Sequence, residues 1–240
     1  MLNYGVVMTF AGFQKLTLLD FPGKTACTVF TSGCNFRCPF CHNAEIAFSE
    51  PPDPAHDFSE DEIIEYLEGR KGKIDGVCIT GGEPLLHGDI AKFCARVREK
   101  GFLVKIDTNG SVFGTLETLV ENRLCDYVAM DIKNVPDKYA LSAGCAIATE
   151  NVKRSVELLK QGKVDYEFRT TVVRELNAKE DFKEIAKWLC GAKRYFLQKF
   201  KDSDCVPRHD FSAYSDAEMR EIAEILRAEG LDCVGLRGVE

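Results

Sequence analysis

The sequence predicts an α/β fold in which helices cover a largely parallel sheet. Six short runs rich in Val, Ile, Phe and Tyr alternate along the chain with amphipathic segments. Strand–helix alternation of this kind is typical of parallel strands with helices packed outside them. No low-complexity tract, repeat or linker interrupts the alternation. Two architectures stay open at this point, a doubly wound sheet and a partial (β/α) barrel. Both bind ligands at the carboxyl ends of their strands.

The predicted strands are short apolar runs that stop at loop-forming residues. In chain order they are Thr25–Thr31, Gly76–Thr80, Phe102–Asp107, Tyr127–Asp131, Tyr166–Val173 and Arg194–Lys199.

The predicted helices follow from capping boxes and from apolar residues at helical spacing. Ser59 and Glu62 form one capping box, and Ser215 and Glu218 form a second, each before an apolar run. Gly230 would end the second of these helices. The other helical segments are Ile90–Lys100, Thr115–Asn122, Glu150–Gln161 and Lys179–Leu189.

Size and composition indicate one large domain. The chain has 240 residues, of which 45% are apolar and 29% charged, as in an ordinary globular protein. We expect residues 1–24 to form an N-terminal extension packed on a core of residues 25–240 that ends in a helix.

Charge and cysteine usage narrow the class of protein. A net charge of −7 argues against a nucleic-acid surface, which is normally basic. No apolar stretch approaches the ~18 residues that would span a bilayer, so no membrane partner is expected. Eleven scattered cysteines are an odd number and too sparse for a disulfide scaffold. A reducing cytoplasm is the favoured location.

Three cysteines, Cys34, Cys38 and Cys41, stand within eight residues, in a loop that Gly33 precedes and Pro39 interrupts. An iron–sulfur cube usually has four thiolate ligands, so three thiolates would leave one iron open for chemistry. A structural zinc site with His42 as fourth ligand is an alternative, although adjacent ligands fit one tetrahedron poorly. An electron-transfer module of ferredoxin type, completed by Cys27, is another.

Polar motifs follow each predicted strand, and the carboxyl ends of parallel strands meet at one rim. Beyond the cysteine loop these motifs are Gly81–Pro84 (GGEP), Asp107–Gly110 (DTNG), Asp131 with Lys133, Arg169, and Gln198 with Lys199. We therefore expect a single site at that rim.

Each motif also has a purely structural interpretation. Gly81 and Gly82 could form a tight turn or admit a ligand to bare backbone. Asp131 and Lys133 could be a solvated ion pair. Arg169 should point into a polar interior and bind a carboxylate, which could belong to the protein or to a ligand.

These motifs together resemble the radical S-adenosylmethionine (SAM) superfamily, whose signature is C-x3-C-x2-C with an aromatic residue, here Phe40, before the last cysteine. The segments Cys41–Asn43, Asp107–Gly110 and Met130–Lys133 are similar to those of the activating enzymes of glycyl-radical proteins. The opening 12–23 and the ending 214–238 resemble the long-form activating proteins of anaerobic ribonucleoside-triphosphate reductase.

The resemblance implies a partial (β/α)6 barrel of the TIM type, one [4Fe–4S] cluster and S-adenosylmethionine as co-substrate. Cys34, Cys38 and Cys41 would hold three irons, and the methionine part of the co-substrate would chelate the fourth. The residues implied to contact the co-substrate are Phe40, Asn43, Gly81, Gly82, Glu83, Asp107, Asn109, Asp131, Lys133 and Arg169.

Two finer points follow from the same resemblance. The resemblance implies that Asp107, Thr108 and Asp131 could bracket a monovalent cation, as in related activating enzymes. Some relatives carry a late histidine near the co-substrate carboxylate, where this chain has Gln198. The carboxylate would then depend more on Lys133 and Arg169.

The implied reaction is reductive cleavage of the co-substrate to a 5′-deoxyadenosyl radical, which removes a hydrogen atom from a glycine of a partner protein. The implied partners are anaerobic ribonucleoside-triphosphate reductase and a low-potential electron donor such as flavodoxin or ferredoxin. Loops 49–58, 135–148 and 202–213 are long enough to form a docking surface. Activation of another glycyl-radical enzyme, of the pyruvate formate-lyase type, and radical chemistry on a small molecule are the enzymatic alternatives.

Overall fold

The computed structural model describes residues 9–48 and 57–240, which divide into two compact units. The first unit contains the described residues up to Asn35, Glu45–Thr108 and Gly114–Val128. The second contains Phe36–Ala44, Asn109–Phe113 and Ala129–Glu240.

The first unit is built on parallel strands with one antiparallel strand beside them. Its elements are β1 (Thr9–Phe10), β2 (Gly12–Thr17), β3 (Ala26–Thr31), α1 (Ala44–Ala47, whose first residue belongs to the second unit), β4 (Phe58–Ser59), α2 (Glu60–Glu68), β5 (Gly76–Gly81), a 3-10 turn (Pro84–Leu86), α3 (Ile90–Glu99), β6 (Leu103–Thr108) and α4 (Phe113–Glu121). The strand order is β6-β5-β3-β2, with β2 antiparallel to β3 and the other pairs parallel. The short strands β1 and β4 pair with each other.

The second unit repeats the parallel arrangement. The strand β7 (Tyr127–Asp131) ends in it and is followed by a 3-10 turn (Pro136–Lys138), α5 (Tyr139–Ala143), α6 (Glu150–Lys160), β8 (Asp165–Val172), α7 (Asp181–Trp188), β9 (Tyr195–Lys199), α8 (Asp216–Ala228) and β10 (Val234–Arg237). β9 lies between β8 and β10, and both pairs are parallel. The α/β fold with a mostly parallel sheet is therefore confirmed.

Local sequence signals explain most of these elements. All six predicted strands are present to within about two residues, and both capping boxes form, at Ser59–Glu62 and Ser215–Glu218. In β5 the residues Val77, Cys78 and Ile79 are fully buried, as expected for a strand covered on both faces.

Several described elements were not predicted from the sequence, among them β2, β10 and α5. The edge strand β2 is largely exposed and carries polar residues, so it lacks an apolar strand pattern. In β10 the pattern is broken by Gly235, where an added Cβ would lie 2.6 Å from the ring of Phe196. The helix α5 forms inside the predicted loop 135–148, where Tyr139, Ser142 and Ala143 are buried.

The other two predicted loops have different outcomes. The segment 202–213 contains no helix or strand and is mostly exposed, as predicted. In the loop 49–58, residues 49–56 lie outside the described residues, and Phe58 begins β4. The predicted division of the chain at residue 24 stays a prediction.

Within residues 9–48 and 57–240, no helix has both the length and the apolar character needed to cross a bilayer.

Candidate active site

In the first unit, the entrance to the cysteine loop is bonded to the end of β5. The Gly82 N–H donates to the Thr31 carbonyl (2.8 Å), and the Glu83 N–H donates to the Gly33 carbonyl (2.9 Å). His87 Nε2 lies 3.0 Å from the Ser32 carbonyl. Cys34 therefore follows a backbone segment that the GGEP motif holds in place.

The two glycines of this motif are required by that close contact. Gly81 has φ of +111°, and a Cβ there would lie 2.4 Å from the Thr31 oxygen. A Cβ on Gly82 would lie 1.9 Å from the Gly33 oxygen. Any side chain at these positions would displace the cysteine loop. The predicted co-substrate contact of the two residues stays a prediction.

Glu83 holds this turn from within the unit. Its side chain is buried, and Oε1 accepts hydrogen bonds from the Leu85 N–H (3.1 Å) and the Thr108 hydroxyl (2.7 Å). The carboxylate thus joins the end of β5 to the end of β6. His87 and Thr108 belong to this network, although His87 lies in a polar loop and no role was predicted for it.

Asp107, on β6, is paired with a buried lysine of the same strand. Lys105 Nζ contacts Asp107 Oδ1 and lies 3.6 Å from the Cys78 sulfur on β5. The Lys105 side chain is only 3% exposed, and that of Asp107 is 16% exposed. Asp107 was predicted from the sequence but Lys105 was not, although a lysine two residues away on a buried strand shares the face of the aspartate.

In the second unit, the rest of the cysteine loop is anchored on α5. The Arg37 N–H donates to the Ala143 carbonyl (2.8 Å). Gly144 ends the helix with φ of +67°, and a Cβ there would lie 1.9 Å from the Arg37 oxygen. Cys38 is buried and Cys41 is partly exposed. The loop residue Phe40 is also buried.

Asp131 forms ion pairs with two cationic side chains of the second unit, those of Lys133 and Arg169. Its carboxylate lies 2.9 Å from Lys133 Nζ and 2.9 Å from Arg169 Nε. The three side chains are 14–28% exposed, so this is not the solvated pair considered from sequence. The carboxylate that pairs with Arg169 is therefore that of a protein side chain, Asp131.

The charged forms of Asp131 and Lys133 stabilise each other. Burial would raise the pKa of Asp131, but Arg169 and Lys133 outweigh it and lower that pKa to about 2. Burial opposes the charge of Lys133, yet Asp131 and then Cys38 hold the pKa of Lys133 above its ordinary value. Both groups therefore stay charged at neutral pH.

Lys133 also connects this group to the cysteine loop. Its Nζ lies 5.8 Å from the centre of the Phe40 ring, within the range of a cation–π contact. Burial raises the pKa of Cys41, while the Asn43 backbone N–H and Lys133 act to lower it. Tyr139, fully buried, accepts a hydrogen bond from the Lys133 N–H at 3.3 Å.

Asn109 and Gly110 shape the start of the segment before α4. Asn109 Oδ1 accepts hydrogen bonds from the Ser111 N–H (2.9 Å) and hydroxyl (2.6 Å), which forms a local turn. Gly110 has φ of +74°, and a Cβ there would lie 2.1 Å from Met130 Cε. Asn109 Oδ1 is thus engaged by its own loop, and its predicted co-substrate contact stays a prediction.

Gln198 pairs in register with Thr171 on β8 and Arg237 on β10. The Arg237 guanidinium stacks 3.8 Å from the Phe196 ring centre and binds the buried Glu167 through two hydrogen bonds of 2.8 and 2.9 Å. Glu167 was not predicted from the sequence, and no role of its own was predicted for Arg237.

The cysteine loop fits the cluster that the resemblance implies. All eleven cysteines lie in the described part of the chain, and all are thiols. Burial raises the pKa of Cys41, and the Asn43 backbone N–H and the Lys133 charge partly oppose this rise, so both groups act in the direction of the thiolate form that binds iron. Among the described residues, no three His, Cys, Asp or Glu side chains converge on a point where one metal ion could be held. A cluster places its thiolates on separate irons, so it does not require such convergence.

Parallel strands that end in a cysteine loop, paired glycines and charged residues are typical of α/β enzymes related to the (β/α) barrel, which bind their ligands at strand ends. The sequence model of the Radical SAM superfamily matches residues 28–189. The chain therefore belongs to the radical SAM superfamily, and its cofactors are a [4Fe–4S] cluster and S-adenosylmethionine.

Two curated relatives match over most of the chain. A Methanocaldococcus jannaschii protein, provisionally named a glycyl-radical enzyme activating enzyme, is 33% identical over 224 residues, which cover 90% of this chain and 91% of the relative. The 7-carboxy-7-deazaguanine synthase of Halobacterium salinarum is 26% identical over 220 residues, covering 87% of this chain and 79% of that protein.

A solved structure agrees with the fold. Streptococcus suis SuiB bound to S-adenosylmethionine superposes with a TM-score of 0.67 and 15% identity. The match covers 87% of this chain and 49% of the longer SuiB chain. Because members of this superfamily bind a [4Fe–4S] cluster and S-adenosylmethionine, the zinc and electron-carrier interpretations of the cysteine loop are set aside.

Proposed function

We propose that this enzyme activates a glycyl-radical enzyme and that its target is anaerobic ribonucleoside-triphosphate reductase. The observation that carries the activase assignment is the 33% identity to the Methanocaldococcus jannaschii protein across nine tenths of both chains. The choice of the reductase rests on the opening 12–23 and the ending 214–238, which resemble the long-form activating proteins.

In this proposal the side chains of Cys34, Cys38 and Cys41 hold three irons of the cluster. When bound, the cluster supplies one electron that cleaves S-adenosylmethionine into methionine and a 5′-deoxyadenosyl radical. Lys133 stands close enough to influence Cys38 and Cys41 electrostatically. Burial raises the pKa of Cys41, the Lys133 charge opposes this rise, and the same charge would attract the carboxylate of the co-substrate.

The other predicted residues act by position. Gly81, Gly82 and Glu83 would offer backbone groups and a fixed turn to the methionine amino group, with Asp107 beside it. Arg169 and Asp131 would keep Lys133 charged and oriented, because Asp131 binds both cations at 2.9 Å. Asn43 and Asp131 would contact the adenosyl part, and Phe40 and Asn109 belong to the same predicted co-substrate site.

The partners follow from the same reaction. A low-potential protein such as flavodoxin or ferredoxin would deliver the electron, and the exposed loop 202–213 would contact the partner that carries the glycine. Eleven thiols in one chain suit a reducing compartment, for which we propose the cytoplasm.

The decisive experiment mixes the anaerobically reconstituted enzyme, S-adenosylmethionine and a reductant with purified candidate glycyl-radical enzymes. We expect a glycyl doublet in the electron paramagnetic resonance (EPR) spectrum of the reductase, with one 5′-deoxyadenosine formed per radical. Pyruvate formate-lyase serves as the competing target, and a Cys38→Ala variant as the inactive control. A doublet on pyruvate formate-lyase alone would reassign the target, and no doublet on any partner would reject the activase assignment.

A second function is supported by the 26% identity to 7-carboxy-7-deazaguanine synthase over 87% of the chain. In that case the radical would act on a small molecule. Expression in a strain that lacks the synthase distinguishes the two: restored 7-carboxy-7-deazaguanine would favour the synthase, whereas unchanged cells together with a glycyl doublet would favour the activase.

A further inference from the structure

The strand β6 carries a buried positive charge that no predicted role explains. Lys105 has a side chain that is 3% exposed, and its ammonium contacts Asp107 Oδ1 and lies 3.6 Å from the Cys78 sulfur. An ammonium out of water is tolerated only with a close anionic or polar partner. Lys105 is therefore fixed by its environment, in contrast to a flexible surface lysine.

The geometry of the sheet fixes where this charge lies. Lys105 and Asp107 are two residues apart on β6, so they share one face. Lys105 pairs in register with Cys78 on β5, which pairs in turn with Thr28 on β3. Cys78 and Thr28 are fully buried, and the Thr28 hydroxyl donates to Asp20 at 2.6 Å. Lys105, Cys78 and Thr28 thus form a polar row across the three strands, one step along the sheet from Asp107.

The residues implied to hold a monovalent cation are engaged by the protein itself. Asp107 is paired with Lys105, and the Thr108 hydroxyl donates to Glu83 at 2.7 Å. In the second unit, Asp131 binds Lys133 and Arg169. These residues do not fit a bound cation, since each carboxylate already has a cationic partner.

We propose that Lys105 is a built-in substitute for that cation: its ammonium neutralises and orients Asp107, so the site binds no sodium or potassium. The repulsion between the Lys105 ammonium and an alkali ion about 4 Å away, at an effective dielectric constant of about 20, would weaken binding of the ion by roughly three orders of magnitude. An alkali ion at Asp107 would have to overcome this repulsion. Lys105 is accordingly a positioning residue that acts through Asp107.

The test measures ion binding directly. The reconstituted full chain, with its cluster oxidised, is titrated with NaCl at constant ionic strength while the relaxation of the 23Na nucleus is followed. We expect no saturable binding for the natural protein. Lys105→Met, which removes the charge and leaves Asp107, should gain saturable binding in the millimolar range that potassium displaces. The double variant Lys105→Met/Asp107→Asn should lose it again.

Three controls separate this effect from general changes. Lys105→Arg keeps the charge and should bind no sodium. Lys105→Gln, a polar replacement of similar length, should gain the same saturable sodium binding and replaces Lys105→Met in the test if Lys105→Met fails to fold. Arg98→Met removes the cation beside Asp126, an ion pair elsewhere in the same unit, and should create no ion site.

A second readout is co-substrate affinity, followed by the EPR change that S-adenosylmethionine causes in the reduced cluster. For Lys105→Met we expect at least a tenfold dependence of this affinity on potassium, and none for the natural protein. Saturable sodium binding by the natural protein, abolished by Asp107→Asn, would overturn the proposal. So would folded Lys105→Met or Lys105→Gln that gains no ion binding. The proposal deepens the co-substrate site of the proposed function, but sodium binding can be measured whether or not any partner is activated.

Discussion

At the scale of single residues, the candidate site depends on charged groups that are buried together. Lys133 and Arg169 share the carboxylate of Asp131, and Lys105 pairs with Asp107. Breaking such a pair leaves an uncompensated charge, which destabilises more than the pair itself stabilises. We therefore expect substitutions of one partner to have larger effects than their distance from the cysteines suggests.

Asp131 provides a pH-dependent prediction. Its pKa is lowered to about 2, compared with about 3.9 for an unfolded aspartate. A lowered folded-state pKa stabilises the protein above the unfolded pKa, and this contribution disappears as the pH falls from about 4 to about 2. Asp131→Asn should thus lower the free energy of unfolding of the apoprotein by about 2 kcal/mol more at pH 6 than at pH 2.

Urea unfolding of both proteins across this range measures the difference. Asp210→Asn is a suitable control, since Asp210 binds Arg208 in an exposed loop, where ion pairs contribute little. A constant difference between Asp131→Asn and the natural protein at all pH values would show that the Asp131 pair does not titrate as described.

At the scale of secondary-structure elements, the sequence was informative wherever one local signal decided the outcome. The capping boxes at Ser59 and Ser215 placed two helix starts, and apolar runs placed six strands. The helix α5 was missed because tertiary contacts stabilise it: Tyr139 and Ser142 are buried, and Asn134 Nδ2 donates to the Ser142 hydroxyl at 2.9 Å. Lys105 was missed because a lysine inside a strand is usually solvent-exposed.

Gly144, at the end of α5, provides the prediction at this scale. Gly144→Ala places a Cβ 1.9 Å from the Arg37 oxygen, so the cysteine loop must move. We expect a loss of at least half of the bound iron and sulfide, and a destabilisation of about 2–4 kcal/mol, from the positive φ and the overpacking together.

Gly191→Ala is the matched control for the backbone effect. Gly191 also has a positive φ, of +83°, but an added Cβ there has no neighbour closer than 3.9 Å. It should cost about 1 kcal/mol and leave the iron content unchanged. Equal iron loss in both variants would contradict the proposed role of the Arg37 contact.

At the scale of the whole molecule, membership of the radical SAM superfamily explains why three cysteines are enough to hold the predicted cluster. The superfamily match covers residues 28–189, and the fold agrees with SuiB over 87% of the chain. Of the eleven cysteines, only Cys34, Cys38 and Cys41 belong to the predicted cluster loop. Buried thiols such as Cys27, whose pKa burial raises to about 12, remain protonated and chemically inert.

A substitution series tests this division of the cysteines. Cys34→Ala, Cys38→Ala and Cys41→Ala should each reduce the iron content of reconstituted protein several-fold, whereas Cys27→Ala should leave it unchanged. In the natural protein and in Cys27→Ala, S-adenosylmethionine should shift the EPR signal of the reduced cluster, because the fourth iron is open to it. A signal that ignores the co-substrate, or iron lost from Cys27→Ala, would point to a cluster saturated by four cysteines.

The anchoring of Arg37 on Ala143 and Gly144 has a consequence for biosynthesis. The cysteine loop Cys34–Cys41, which is predicted to bind iron, is translated well before Ala143 and Gly144, which hold Arg37 in place. During synthesis the chain leaves the ribosome from its N-terminus, and a domain generally folds as a unit. Maturation factors that deliver iron and sulfide would therefore meet the fully shaped cysteine loop only after Ala143 and Gly144 have also emerged.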